Sequence, residues 1–139
     1  MPEFTNANLQ TVAAGQNVLF TETPVGCSRG YVMHRAGSGV VTLRGITNQC
    51  RARYRVSFGA NLAVPTGGTA GAISVALSLD GEPMASATAT VTPAAVNEYF
   101  NVYASVFVEV PRGCCATVSV ENISAQAINV ANPNLIVER

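Results

Sequence analysis

The residues of this chain best suited to chemistry are four cysteines, one histidine and one aspartate, and their spacing argues against most chemistry. The cysteines are Cys27, Cys50, Cys114 and Cys115. Adjacent Cys114 and Cys115 cannot easily bridge to each other without strain, but each can bridge outward or stay reduced. A four-thiolate zinc site needs converging ligands, commonly spaced in pairs, and this spacing is not such a pattern. An even cysteine count in a domain suited to an extracellular setting tilts the reading toward one or two disulfides. Free thiols and a metal site are the alternatives.

His34 is the only histidine. A catalytic triad needs it beside an acid and a nucleophile. The only aspartate, Asp80, sits in the turn signal Asp80-Gly81, while His34 lies in the strand-like run Tyr31-Val32-Met33-His34 next to Arg35. It reads as a surface or interface histidine. Of the acids Glu3, Glu22, Asp80, Glu82, Glu98, Glu109, Glu121 and Glu138, only Asp80 and Glu82 are close in sequence. Calcium takes about six to eight oxygens, usually with several carboxylates, and no such set is visible. Gly67-Gly68 precedes a strand rather than a helix, so no phosphate loop or dinucleotide fingerprint occurs. The reading is a non-enzymatic chain with no metal and no cofactor. Convergence of distant Glu carboxylates is the one route left to a glycosidase-type pair.

The elements that hold these residues are strands. Val, Thr and Ile dominate, and they favour the pleated sheet. Short apolar runs recur between Gly, Pro, Asn and Asp, the rhythm of a sandwich or barrel. The expected strands are Leu9–Val12, Asn17–Thr21, Tyr31–His34, Val40–Leu43, Arg53–Val64, Ile73–Leu79, Met84–Val91, Tyr99–Val110, Thr117–Asn122, Ile128–Val130 and Leu135–Glu138. Asp80-Gly81 is a hairpin signal. Pro65–Gly71, Pro24–Gly30 and Pro111-Arg112-Gly113 read as loops. No helix is expected.

Alternation separates the faces. On one strand Tyr54, Val56, Phe58, Ala60 and Leu62 face a core, while Arg53, Arg55, Ser57, Gly59 and Asn61 face outward. Arg51, Arg53 and Arg55 share that outer face. They suit an anionic ligand or a neighbouring subunit's Glu, or else form a solvated face with weak ion pairs. The segment around residues 99–110 departs from the rule. Phe100, Val102, Ala104, Val106, Val108 and Val110 make one apolar face. The opposite face carries Tyr99, Asn101, Tyr103, Ser105 and Phe107. An outer face with three aromatic rings, in a chain only 6% aromatic, suits a subunit contact, because Tyr joins apolar area to a polar tip.

Bulk composition points the same way. The chain of 139 residues fits one domain with a real core. Charged residues make up only 12%, against roughly a quarter in ordinary proteins, so part of the surface is expected to be hidden by assembly or covered by neutral polar groups. Net charge is zero, which leaves no electrostatic footprint for nucleic acid. All eight basic residues are Arg, a type enriched at interfaces. No apolar run is long enough to span a membrane. Met1-Pro2-Glu3-Phe4 lacks the basic and apolar regions of a classical signal peptide. Residues 1–8 are expected to be an extension or fusion residues, with one domain over 9–139.

Several segments together resemble a known family. They are Leu9-Gln10-Thr11-Val12 through Gly15-Gln16-Asn17-Val18-Leu19-Phe20, Gly39-Val40-Val41-Thr42-Leu43-Arg44-Gly45, and Tyr54-Arg55-Val56-Ser57-Phe58-Gly59-Ala60-Asn61. Further on come Val75-Ala76-Leu77-Ser78-Leu79-Asp80-Gly81-Glu82-Pro83, Val108-Glu109-Val110-Pro111-Arg112-Gly113, Val118-Ser119-Val120-Glu121-Asn122 and Asn134-Leu135-Ile136-Val137. Their order and spacing resemble bacterial and phage tumour-necrosis-factor-like, complement-globular-head-like domains, among them the C-terminal domains of collagen-like exosporium proteins. The resemblance implies an all-β, two-sheet jelly-roll sandwich of about ten strands, forming a homotrimer whose long strand near residues 99–107 lies close to the axis. It implies a structural module on a virion or spore surface, in contact with itself and with other virion or surface proteins. The alternative is a receptor- or glycan-binding head using the outer loops. Some members of that family bind calcium at the axis, which nothing in this sequence supports. The chain lacks a collagen-like stalk and has four cysteines, which such domains often lack. Asn122-Ile123-Ser124 matches the glycosylation sequon, which a bacterial or phage origin would leave silent.

Overall fold

The computed structural model describes residues 2–26 and 30–139. Among these are eleven strands: β1 (Glu3–Thr5), β2 (Gln10–Val12), β3 (Glu22–Val25), β4 (Val32–His34), β5 (Val41–Arg44), β6 (Arg51–Ala63), β7 (Ile73–Leu79), β8 (Glu82–Val91), β9 (Phe100–Pro111), β10 (Cys115–Asn122) and β11 (Ile128–Glu138). No helix occurs among the described residues. One sheet runs β3-β1-β11-β6-β9, with β2 also pairing β11; the other runs β4-β5-β10-β7-β8. Every strand pair is antiparallel.

The core lies between the sheets because alternate residues of both point inward. Along β6, Ala52, Tyr54, Val56, Phe58, Ala60 and Leu62 are buried, as alternation requires. They meet Leu43, Ile73, Leu77, Val118 and Val120 from the facing sheet, with Phe20, Ile128 and Leu135 in the same cluster. Burying each such large side chain contributes about 1.5–3 kcal/mol. The buried Tyr54 keeps its polar tip satisfied: its hydroxyl donates to the Arg44 carbonyl, with the Tyr31 carbonyl 3.2 Å away.

Two local signals act as their chemistry dictates. Leu79 pairs with Glu82, so Asp80 and Gly81 alone make the β7–β8 turn, at φ 51° and 87°. Positive φ at both positions is the hairpin geometry that Asp-Gly favours. The Asp80 carboxylate also accepts from the Thr117 amide at 2.8 Å, tying the turn to β10. In the sequon, Asn122 is wholly buried. Its Nδ2 donates to the carbonyls of Val12 (3.0 Å) and Gln126 (2.9 Å), and its Oδ1 accepts from the Ser124 amide (2.9 Å). This asparagine pins loops, and it is inaccessible to a glycosyl donor.

Several sequence expectations are corrected. Residues 3–5 do not stand outside the domain: β1 pairs with both β11 and β3, and Phe4 is buried. Asn17–Thr21 is not a strand. Val18 and Phe20 are buried, but their amides go to the Val120 and Ser38 carbonyls, while the Gln10 side chain serves both the amide and the carbonyl of Leu19. The backbone is satisfied piecemeal, with no continuous ladder. Ile128–Val130 and Leu135–Glu138 are one strand, β11. It carries a bulge between Ala131 and Asn134, where Asn132 has φ 52° and Pro133 has no amide to donate. Phe100, placed on the core face by alternation, is 39% exposed at the very start of β9.

Candidate assembly face

β6 and β9 pair along their whole lengths, from Arg51↔Pro111 to Leu62↔Phe100. This register brings two separately suspected groups onto one outer surface. Arg51, Arg53 and Arg55 stand directly beside Pro111, Glu109 and Phe107; Ser57 stands beside Ser105, Gly59 beside Tyr103, and Asn61 beside Asn101. β9 ends its sheet, so the face reaches the sheet's edge.

The aromatic residues are the outstanding part of the face. Phe107 is 67% exposed and Tyr103 is 59% exposed. Tyr99, just before β9, is also exposed, and so is Asn101; Ser105 is half-buried. The Tyr103 ring leaves β9 opposite Gly59, which has no side chain to displace it. Its hydroxyl ends 3.4 Å from Ser57 Oγ. Ser57 and Ser105 hydroxyls are 3.2 Å apart, Arg55 Nε donates to Ser105 Oγ at 3.4 Å, and Asn101 Nδ2 donates to Asn61 Oδ1 at 3.2 Å. Hydrogen bonds from Ser57 and Ser105 hold the Tyr103 hydroxyl below the ordinary tyrosine range, and Arg55 adds to the effect. The surface is therefore apolar at its rings and rich in donors between them. Sequence alternation puts Tyr99, Asn101, Tyr103, Ser105 and Phe107 on one face and Arg53, Arg55 and Ser57 on an outer face of β6; it could not show that the two rows adjoin, because that depends on the register between distant strands.

The cysteines lie elsewhere. Cys50, Cys114 and Cys115 are exposed and unbridged, while Cys27 lies outside the described residues. The Cys50 carbonyl accepts from the Arg112 amide, the Cys114 carbonyl accepts from the Gly45 amide, and Cys115 pairs with Arg44. All three thus gather at one end of the sandwich. Gly45 is fixed there because a Cβ on it would sit 2.1 Å from the Pro111 carbonyl oxygen. Among the described residues no three His, Cys, Asp or Glu side chains converge as a metal site.

His34 is half-buried rather than a simple surface residue. Phe4 packs against its ring at a centroid distance of 4.7 Å, and Nε2 donates to the Ser38 carbonyl at 2.8 Å. That bond requires the proton on Nε2, and Nδ1 is buried without a partner. The adjoining depression is lined by Met33, Arg35, Ser38, Val40 and Thr42, with no carboxylate among them to orient His34 as a triad requires. The loop depression at Pro65–Thr69 is lined by Thr11 and Gln126, with no aromatic ring to stack on a sugar.

No protein-family model matches the sequence, and no curated protein sequence matches it. Solved structures do match. The globular domain of a zebrafish complement 1qA protein superposes with a TM-score of 0.65 at 12% identity, over 97% of this chain and 94% of that one. Murine APRIL gives 0.67 at 11% identity, over 99% and 98%. Eiger TNF from S. frugiperda gives 0.67 at 12% identity, over 99% and 90%. The likeness is one of fold: two antiparallel sheets in the tumour-necrosis-factor-like jelly roll.

Proposed function

We propose that this chain, built on a tumour-necrosis-factor-like jelly roll, is a non-enzymatic structural module that forms a homotrimer through the outer face of β6 and β9. The observation that carries the reading is the exposure of Phe107 and Tyr103 on the same face of an edge strand. A long edge strand bearing exposed apolar rings is an aggregation hazard unless something covers it. A copy of the same chain covers it, and a rotation that closes on itself limits the assembly. The low charge of the chain supports the same reading, since a surface partly hidden by subunits needs fewer charges. The setting on a virion or spore surface rests on the sequence resemblance.

Light scattering coupled to size exclusion tests the assembly. The expected mass is three times the 14.4 kDa of the chain. A species of one chain mass at micromolar concentration overturns the proposal, and so does a dimer.

A further inference from the structure

The same face gathers four hydrogen-bond donors with no carboxylate among them: Arg55 Nε and the hydroxyls of Ser57, Ser105 and Tyr103. Their mutual distances are 3.2 to 3.4 Å. Hydroxyl hydrogen bonds usually lie near 2.7–2.8 Å, so these groups satisfy one another only loosely. Each hydroxyl can turn its proton toward a stronger acceptor. Ser57 is only 8% exposed and Ser105 is half-buried, so the two serines form a floor. The exposed Tyr103 and Arg55 stand above it.

The surroundings already favour negative charge at this spot, as the lowered ionisation range of Tyr103 records. What favours a phenolate there also favours a bound anion, because both are stabilised by the same donors and the same guanidinium. The neighbouring acids by register are Glu138 beside Arg55 and Glu109 beside Arg53. Neither is part of the donor cluster.

We propose that Arg55, Ser57, Tyr103 and Ser105 form an anion site that takes a small oxyanion, of the sulfate or phosphate type, within the subunit contact. A tetrahedral oxyanion presents several strong acceptors to these donors and offsets the guanidinium charge. The site rests on the homotrimer reading, and its test separates the two.

The full-length chain is first weighed by light scattering in sulfate-free buffer and then titrated calorimetrically with inorganic sulfate at constant ionic strength. The wild type is expected to show saturable binding. Arg55→Gln, weighed in the same buffer and titrated at a concentration where it is trimeric, is expected to bind sulfate about tenfold or more weakly, since it loses a charge-assisted hydrogen bond. Ser105→Ala is expected to weaken binding without altering charge, and it reads the site if Arg55→Gln folds poorly. A monomer mass overturns the assembly reading. A trimer that binds no sulfate saturably, or binds it equally in the wild type and both variants, overturns the anion site and leaves the assembly standing.

Discussion

Truncating Phe107 to alanine separates the needs of the fold from those of the assembly. In the single chain the ring is 67% exposed, so its loss removes little buried area. Surface substitutions of this kind usually shift stability by about 0.5 kcal/mol or less. In the trimer the remaining ring surface is covered. An aromatic side chain buries roughly 150–250 Å² in full, so about two-thirds of that, roughly 100–170 Å², is at stake in each chain. At about 25 cal/mol per Å² this is about 2.5–4 kcal/mol per chain. Three chains multiply it to about 8–12 kcal/mol per trimer, or roughly six to nine decades in the trimer dissociation constant. Light scattering across a dilution series is the assay, with circular dichroism reporting the fold. The expected result is a monomer with a nearly unchanged unfolding transition. Leu9→Glu serves as the control: Leu9 is 60% exposed but precedes β2, which pairs with β11 rather than with β6 or β9, so its substitution should leave the mass alone. If Phe107→Ala stays trimeric at the concentrations where the wild type does, Phe107 is not in the contact and the reasoning from exposure fails.

Other outcomes follow from local chemistry. Asn122→Ala strips partners from the Val12 and Gln126 carbonyls and the Ser124 amide, and should destabilise the chain by about 2–4 kcal/mol in urea unfolding. A loss below about 1 kcal/mol would mean that water replaces the amide at no cost. Tyr103 should ionise below the ordinary tyrosine value of 10.0, and Ser57→Ala should move its spectrophotometric midpoint upward, because the Ser57 hydrogen bond is the largest cause. The sign of the linked stability follows. The folded chain releases this proton at lower pH than the unfolded chain does. Its contribution is therefore complete above the unfolded midpoint and fades as pH falls through the folded one. A Tyr103 midpoint unmoved by Ser57→Ala would show that the hydroxyl pair does not bear on the phenol.

What the sequence disclosed, and what it hid, divides by the range of the interaction. β6 was legible because its alternation is local and unbroken from Arg53 to Leu62. Asp80-Gly81 was legible because two adjacent residues determine that turn. The aromatic row on β9 was legible as an exception to alternation. β1 was hidden because Glu3-Phe4-Thr5 is too short to show a period; it is a strand only because β11 and β3 flank it. Asn17–Thr21 misled because Val18 and Phe20 are buried like strand residues while their amides bond to separate segments. Phe100 misled because alternation assigns a face but does not say where the facing sheet ends. The donor cluster around Tyr103 was invisible for a related reason. Ser57 and Ser105 are 48 residues apart, and only the pairing register brings them together.

The place of β11 carries a further consequence, one of timing. It pairs with β6 along one edge and with both β1 and β2 along the other, and the Asn132-Pro133 bulge lies where one partner gives way to the next. Phe4 meets Leu135 across more than a hundred residues of chain. During synthesis β1 and β2 emerge well before β11; until it has been made β1 has only the short β3 to pair with, and β2 has no strand partner. Contacts of such separation are slow to close, and the unpaired strands stay open to wrong partners meanwhile. Damage to β11 should therefore loosen β2 and the β1–β3 pair as well as β11 itself.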